Sequence, residues 1–208
     1  RLRVEFAQDL VQVIYVFYYV FDPLEIAYSM SKKWDEFDTS TVHKEMQIDE
    51  CDGGNLILSR PGGGASPYSF GTQLLDSATP IALWRFKVLK PWCWRIGIVD
   101  ASKVAQDLSL CHEEITHCYV MQSQNGMTWD KMKDGKQLPM SCISKDVQQN
   151  GHQIGMLLDW NERSLHFSIN NAPFVCVADD INTKLQYRMA CCLACGAELK
   201  LEASAVEA

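Results

Sequence analysis

The nine cysteines and five histidines are the first residues to weigh, because thiolates and imidazoles build metal sites and nucleophilic centres. Cys111, His112, His117 and Cys118 lie close together, and Cys191-Cys192 stands just ahead of Cys195. Structural zinc needs four ligands converging from short-spaced pairs, and Cys192-x-x-Cys195 is one such pair. The doublets Cys111-His112 and His117-Cys118 are poorly spaced, since neighbouring strand residues point to opposite faces. A nucleophile needs Cys or Ser beside a His and an orienting carboxylate. His43, His152 and His166 are available, yet none lies in a recognisable nucleophile elbow. Asp159 with Glu162, and Glu113-Glu114, are the nearest thing to a glycosidase pair, but their spacing suits solvated turns equally well. Gly62-Gly63-Gly64 lacks the Gly-Lys-Ser/Thr that completes a phosphate-binding loop. The expectation is no catalytic residue, no metal, no cofactor and no enzymatic activity.

The elements that would carry any site are mostly strands. From Val42 onward apolar residues recur with a period of two. Met46 and Ile48 alternate with Glu45, Gln47 and Asp49; Cys51 to Asn55 makes a turn; Leu56-Ile57-Leu58 resumes a strand, a hairpin signal. Arg60 to Pro67 reads as loop. Ile81 to Leu89 is a strand with Trp84, Phe86 and Val88 on one face, and Trp94 to Val99 is another. Asp100 to Thr116 reads as a long polar loop with a helical turn. Tyr119 to Trp129 forms a strand pair around Asn125-Gly126, and Lys131 to Gly135 a further turn. Three more strands follow at Gln153 to Asp159, Leu165 to Ile169 and Phe174 to Ala178, with turns at Trp160 to Ser164 and at Asn170-Asn171. Tyr187 to Ala194 alternates again, and Glu198 to Glu202 closes the series. Short strands with turn signals every 8–12 residues or so predict an all-β fold, an antiparallel sandwich of two layers.

Composition bounds the partners. A hydrophobic share of 47% with 22% charged residues is enough for a buried core. The net charge of -7, with no Lys/Arg run longer than two, argues against nucleic acid. Cysteines inside apolar runs, such as Cys176, Cys191 and Cys192, behave as small hydrophobes and point to a reducing, cytoplasmic setting. The apolar run Leu10 to Phe21, bounded by Asp9 and Asp22-Pro23, falls short of the about 20 residues a spanning helix needs. It has no clear cleavage site, so it reads as a buried strand or helix packed on the main domain, or as the remnant of an upstream element, rather than as a membrane segment. Arg1 at the start suggests a fragment. Residues 1–35 are expected to be this extension, 36–203 the sandwich and 204–208 a tail.

The ordered series resembles the SPRY family. The matching pieces are Trp84-Arg85-Phe86-Lys87-Val88, Ile96-Gly97-Ile98-Val99, Tyr119 with Gly126, Trp129 and Gly135-Lys136, Gly155 to Asp159, Arg163 to Asn171, Ala172 to Ala178, and Leu185 to Ala190. The departures are Asn170-Asn171 where Asn-Gly is usual, Arg188 where Pro is favoured, and Ala178-Asp179 where an aromatic is usual. The resemblance implies a module that binds a peptide or protein surface through loops at one end. It associates such a module with substrate recognition in ubiquitin ligases or with scaffolds. Arg60-Pro61, followed by Gly62 and Gly63, is similar to the first binding loop of the SOCS-box branch. Tyr119 stands near an aromatic binding position, and Ala194-Cys195-Gly196 is similar to a Val-Trp-Gly loop whose Trp is here Cys195. The plainer alternatives are that Arg60 is a solvated loop charge and Tyr119 a core aromatic. A second class of function, a carbohydrate-binding or glycoside-hydrolysing sandwich, would require Trp92, Trp94, Trp129 or Trp160 to form an exposed array.

Overall fold

The computed structural model describes residues 46–51, 55–61, 68–78, 80–104, 118–123, 127–133, 136–137, 141–144, 150–194 and 196–202. The apolar run from Leu10 to Phe21, the boundary near residue 35 and the tail lie outside these residues. Among them are fourteen strands: β1 (Gln47–Cys51), β2 (Asn55–Ser59), β3 (Tyr68–Phe70), β4 (Ile81–Lys90), β5 (Trp94–Asp100), β6 (Cys118–Gln122), β7 (Met127–Lys133), β8 (Lys136–Gln137), β9 (Ser141–Ser144), β10 (Gln153–Asp159), β11 (Ser164–Ile169), β12 (Val175–Ala178), β13 (Tyr187–Leu193) and β14 (Glu198–Glu202). One helical turn, α1 (Ala101–Val104), follows β5. The Asp100 carboxylate caps it, accepting from the Ser102 amide at 2.9 Å.

The strands form two antiparallel sheets. The first runs β1-β2-β14-β4-β10-β11-β12; the second runs β3-β13-β5-β6-β7-β8, with β9 also paired to β7. The period-two pattern sets which residues face inward. On β10 and β11, Ile154, Met156 and Leu158 lie opposite Ile169, Phe167 and Leu165, and all six are buried. Trp84, Phe86 and Val88 of β4 join them on one side; Ile96 and Ile98 of β5 with Tyr187, Met189, Cys191 and Leu193 of β13 meet them from the other. This is the two-layer antiparallel sandwich that the alternation predicts.

The turns carry specific backbone chemistry. Asn170 and Asn171 adopt φ of 52° and 60°, and the Ala172 amide donates to the Ile169 carbonyl at 3.0 Å. Two consecutive left-handed residues make the mirror-image turn that matches strand twist, and Asn tolerates that conformation where most residues do not. The Asn170 side chain also accepts from the Gln153 amide, tying the turn to the start of β10.

Several expectations need correction. Phe174, read as the first residue of a strand to Ala178, precedes β12 and lies half-exposed on the outer face of the first sheet, over Gly155. Trp160 sits in a turn but reaches inward, its ring 6.1 Å from Tyr187 in an edge-to-face arrangement. The stretch from Lys131 was read as a turn, yet β7 continues to Lys133, paired with β6 as far as Met132 and with β8 at Met132 and Lys133. Strands β3, β8 and β9 are too short to show a period. On the outer face of β13, Ala190 and Cys192 are buried with Tyr68, Phe70, Val99, Cys118 and Val120, forming a second apolar cluster.

Gly97 explains how β5 and β6 come so close. A Cβ there would lie 2.0 Å from the Tyr119 carbonyl oxygen and 2.6 Å from Val120 Cα. At Gly155 the nearest obstacle is the Phe174 ring at 2.8 Å, a side chain that can swing away. Gly97→Ala should therefore lower stability by about 3 kcal/mol and Gly155→Ala by about 1 kcal/mol or less, measured by urea unfolding. Equal costs at the two sites would contradict the close approach of β5 and β6.

Candidate partner-binding surface

One end of the sandwich gathers the loop after β2, the β4–β5 loop, the residue after β6, and the β13–β14 loop. Their backbones are laced together. The Arg60 amide donates to the Ala197 carbonyl at 3.3 Å, and the Gly196 amide donates to the Arg60 carbonyl at 2.9 Å. The Ala194 amide donates to the Cys93 carbonyl at 2.8 Å. Ser123 ties in β6: its hydroxyl donates to the Trp92 carbonyl at 2.8 Å and accepts from the Trp94 amide at 3.0 Å. These bonds satisfy loop backbone groups that would otherwise be stranded at the edge of the core. The result is a fixed platform at the strand ends, the setting in which surface side chains can vary without cost to the core.

Arg60 and Tyr119 do not occupy the exposed positions that the resemblance implied. Arg60 is only 1% exposed; its Nη1 donates to the Leu193 carbonyl at 3.1 Å, so the guanidinium braces the end of β13. It is not the solvated loop charge of the plainer alternative. Tyr119 lies on the inner face of β6, fully buried, with its ring 6.0 Å from that of Tyr187 at 63°. It is a core aromatic, and its pairing with Ile98 sets it towards the far end of β5 from these loops. Burial, with Tyr119 next to it, drives the Tyr187 hydroxyl well above the usual phenol range. Pro61 and Gly196 are exposed at the platform and Ala194 is half-buried; Gly196 has φ 83°, which glycine adopts without strain. Gly62, Gly63 and Cys195 lie outside the described residues.

The side chain that sequence reasoning left out of this group is Trp92. It is 60% exposed, in the short β4–β5 loop, and its carbonyl is held by Ser123. The available signal was its place between Pro91 and Cys93, where neither neighbouring strand can claim it for a face. Of the tryptophans weighed for sugar binding, Trp94 is fully buried and Trp160 is 6% exposed, both in the core, which leaves Trp92 as the exposed one among those whose side chains are described. The side chain of Trp129 lies outside the described residues.

The other candidate chemistry resolves into structural roles. The Asp159 carboxylate accepts from the Glu162 amide at 3.0 Å and closes the β10–β11 turn. His166 Nε2 and Ser164 Oγ are 2.9 Å apart on the outer side of β11. Burial holds the His166 imidazole below its ordinary pKa, with Asp159 pulling the other way. Cys191 faces inward and Cys192 outward, so the two adjacent thiols cannot converge on one ion. Burial pushes the Cys192 thiol up to about 12, which removes its nucleophilic form at neutral pH. Among the described residues no three His, Cys, Asp or Glu side chains group as metal ligands do. Cys111, His112, His117, Glu113-Glu114 and His43 lie outside them, as do the Asn125-Gly126 turn and most of the Asp100 to Thr116 stretch. No helix of the described residues is long and apolar enough to cross a membrane.

No protein-family model matches the chain, and no curated protein matches it by sequence. Solved structures do match. The SPRY domain of human HERC1 aligns at 15% identity with a TM-score of 0.58, over 83% of this chain and 100% of that one. The PSpry domain of TRIM65 aligns at 13% identity and 0.62, over 88% and 99%. A further human SPRY domain aligns at 11% identity and 0.53, over 76% and 95%. The chain has a divergent SPRY-like fold.

Truncating the Arg60 side chain tests its bracing role. Arg60→Ala leaves the Leu193 carbonyl buried without that donor and opens a gap beside β13, so it should cost about 2–3 kcal/mol in urea unfolding. A loss under about 0.5 kcal/mol, the level of ordinary surface changes, would show that Arg60 does not hold this end together.

Proposed function

We propose that this SPRY-like sandwich is a protein-interaction module that engages a peptide or protein surface through the loop end bearing Pro61, Trp92, Ala194 and Gly196. The observation that carries the reading is the exposure of Trp92 on a platform whose backbone is otherwise fixed. A large rigid aromatic in that setting offers much contact area at little entropic cost, which is why Trp recurs among binding hot spots. Pro61 and Gly196 flank it with a stiff apolar ring and with backbone open to close approach. The Trp missing from the 194–196 loop is then replaced in effect by an indole from the neighbouring β4–β5 loop. Such a site selects partners by shape and apolar contact. The acidic balance of the chain favours a protein ligand over a nucleic acid.

The finer role follows the same resemblance: recognition of a substrate or client within a larger ubiquitin ligase or scaffold, in the cytoplasm. Free thiols on both faces of β13 suit a reducing compartment. In this reading Arg60 contributes by holding the platform, and Tyr119 by packing in the core away from it. Catalysis has no part in this reading.

Affinity capture with quantitative mass spectrometry tests it. Trp92→Ala should leave the unfolding midpoint unchanged and reduce capture of specific partners by tenfold or more, as loss of an aromatic hot spot does. Leu74→Ala, a comparably exposed apolar site near the start of β13, should capture as the wild type does. Undiminished capture by Trp92→Ala, or equal loss in both variants, would overturn the assignment of the loop end.

A further inference from the structure

On the outer face of the first sheet, cross-strand charges follow the usual rule at one position and break it at the next. Arg85 of β4 lies directly opposite Glu202 of β14, a pairing of opposite charges. Two residues nearer the loop end, Lys87 lies directly opposite Lys200. Both lysines point outward and are half-buried, because Phe86 and Val88 beside the one, and Leu199 and Leu201 beside the other, face the core. Like charges directly opposite one another destabilise a sheet. The next residue in this row, Gln153 of β10, is neutral and does not relieve them. Among the described residues neither lysine side chain has a hydrogen bond or an ion pair. A sheet that breaks its own pairing rule at a surface position is expected to do so where function asks for it. We propose that Lys87 and Lys200 receive acidic side chains of the segment bound at the loop end, so that the ligand is an extended acidic peptide anchored on Trp92. This inference rests on the loop-end reading and adds the charge of the partner to it.

Reach and charge both support this occupant. Five positions separate Lys87 from Trp92, about 16 Å of extended chain, so a peptide of about six residues reaches from the indole to the lysines. Lys90 lies between them, 67% exposed and paired with Glu198. The first sheet is also polarised along its strands. Its loop end carries Lys87, Lys90 and Lys200 against Glu198, whereas its far end carries Glu50, Asp159, Glu162 and Asp179 against Arg163 and Lys184. In a chain of net charge -7 this arrangement draws an acidic segment to the loop end and repels it from the other. A lipid surface is the weaker alternative. Headgroup binding draws on clusters of about four to eight basic residues, and here there are three, one of them already paired.

Panning a phage-displayed random peptide library on the intact chain tests the inference, with Trp92→Ala and Lys87→Glu as comparison proteins. Peptides that need Trp92 should be enriched in Asp and Glu, and should bind Lys87→Glu at least about tenfold more weakly. Lys87→Glu sets opposite charges at the Lys200 position, so its urea midpoint should equal or exceed that of the wild type. A lower midpoint would contradict the like-charge cost from which the inference starts. Trp92-dependent peptides without acidic enrichment, or acidic peptides that bind Lys87→Glu unchanged, would overturn the inference and leave the loop-end reading standing. Peptides that bind Trp92→Ala as tightly as the wild type would overturn the loop-end reading itself. Failure to select any peptide, with sedimentation on phosphatidylserine vesicles that Lys87→Glu abolishes, would assign the lysines to a membrane surface and overturn the inference as well.

Discussion

The structure turns on the burial of β13 from both sides. Its inward residues Tyr187, Met189, Cys191 and Leu193 complete the core between the sheets, and its outward residues Ala190 and Cys192 anchor the second cluster. A one-residue slip would carry Arg188 into the core between the sheets and bring Met189 and Leu193 to a face packed around the smaller Ala190 and Cys192, so both faces oppose it. That fixes the positions of its ends. At one end the Tyr187 amide and carbonyl both bond with Leu75, and its ring packs against Tyr119 and Trp160. At the other end, the Leu193 carbonyl receives Arg60 and the Ala194 amide reaches Cys93. The loop platform is therefore an extension of the most constrained strand in the molecule.

The form of the loop end follows from that rigidity. A buried guanidinium is stabilising only where its donors are met, and Arg60 meets the terminal carbonyl of β13 while its own backbone bonds to the β13–β14 loop. Ser123 does the same work from β6 with a neutral hydroxyl. With these polar groups turned inward, the outward surface is left to Pro61, Trp92 and Gly196. The Lys90–Glu198 ion pair lies close by, but Lys90 is 67% exposed, so solvent screening leaves it little weight in stability. The same fold is kept at 13–15% identity to SPRY domains because a sandwich core asks for apolar residues at alternate positions and approximate volumes, and many sequences meet that demand.

Much of the fold was legible in the sequence where period and turn chemistry agreed. The β10–β11 hairpin shows both: six alternating core residues and a turn opening after Asp159. Asn170-Asn171 was readable as a turn because Asn is among the few residues that accept positive φ. The site was less legible, for a physical reason. Whether a charged residue beside a loop points out or in depends on an acceptor that the distant chain supplies. Arg60 finds its partner at Leu193, far along the sequence, and nothing near Arg60 announces it. Tyr119 has the pattern of a core residue, and its alternation with Cys118 and Val120 gave the better guide than family position. Phe174 shows the converse: an aromatic at the mouth of a strand covers a glycine on the outer surface, since Gly155 leaves room for its ring.

The central claim is that β13 is enclosed on its outer face as fully as on its inner one, and a charge placed on that outer face tests it most directly. Urea unfolding of Ala190→Asp is predicted to show a loss of more than about 3 kcal/mol, or no cooperative transition at all, because the carboxylate would be buried without a partner. A loss within about 0.5 kcal/mol, as at a solvent-facing strand position, would contradict the account.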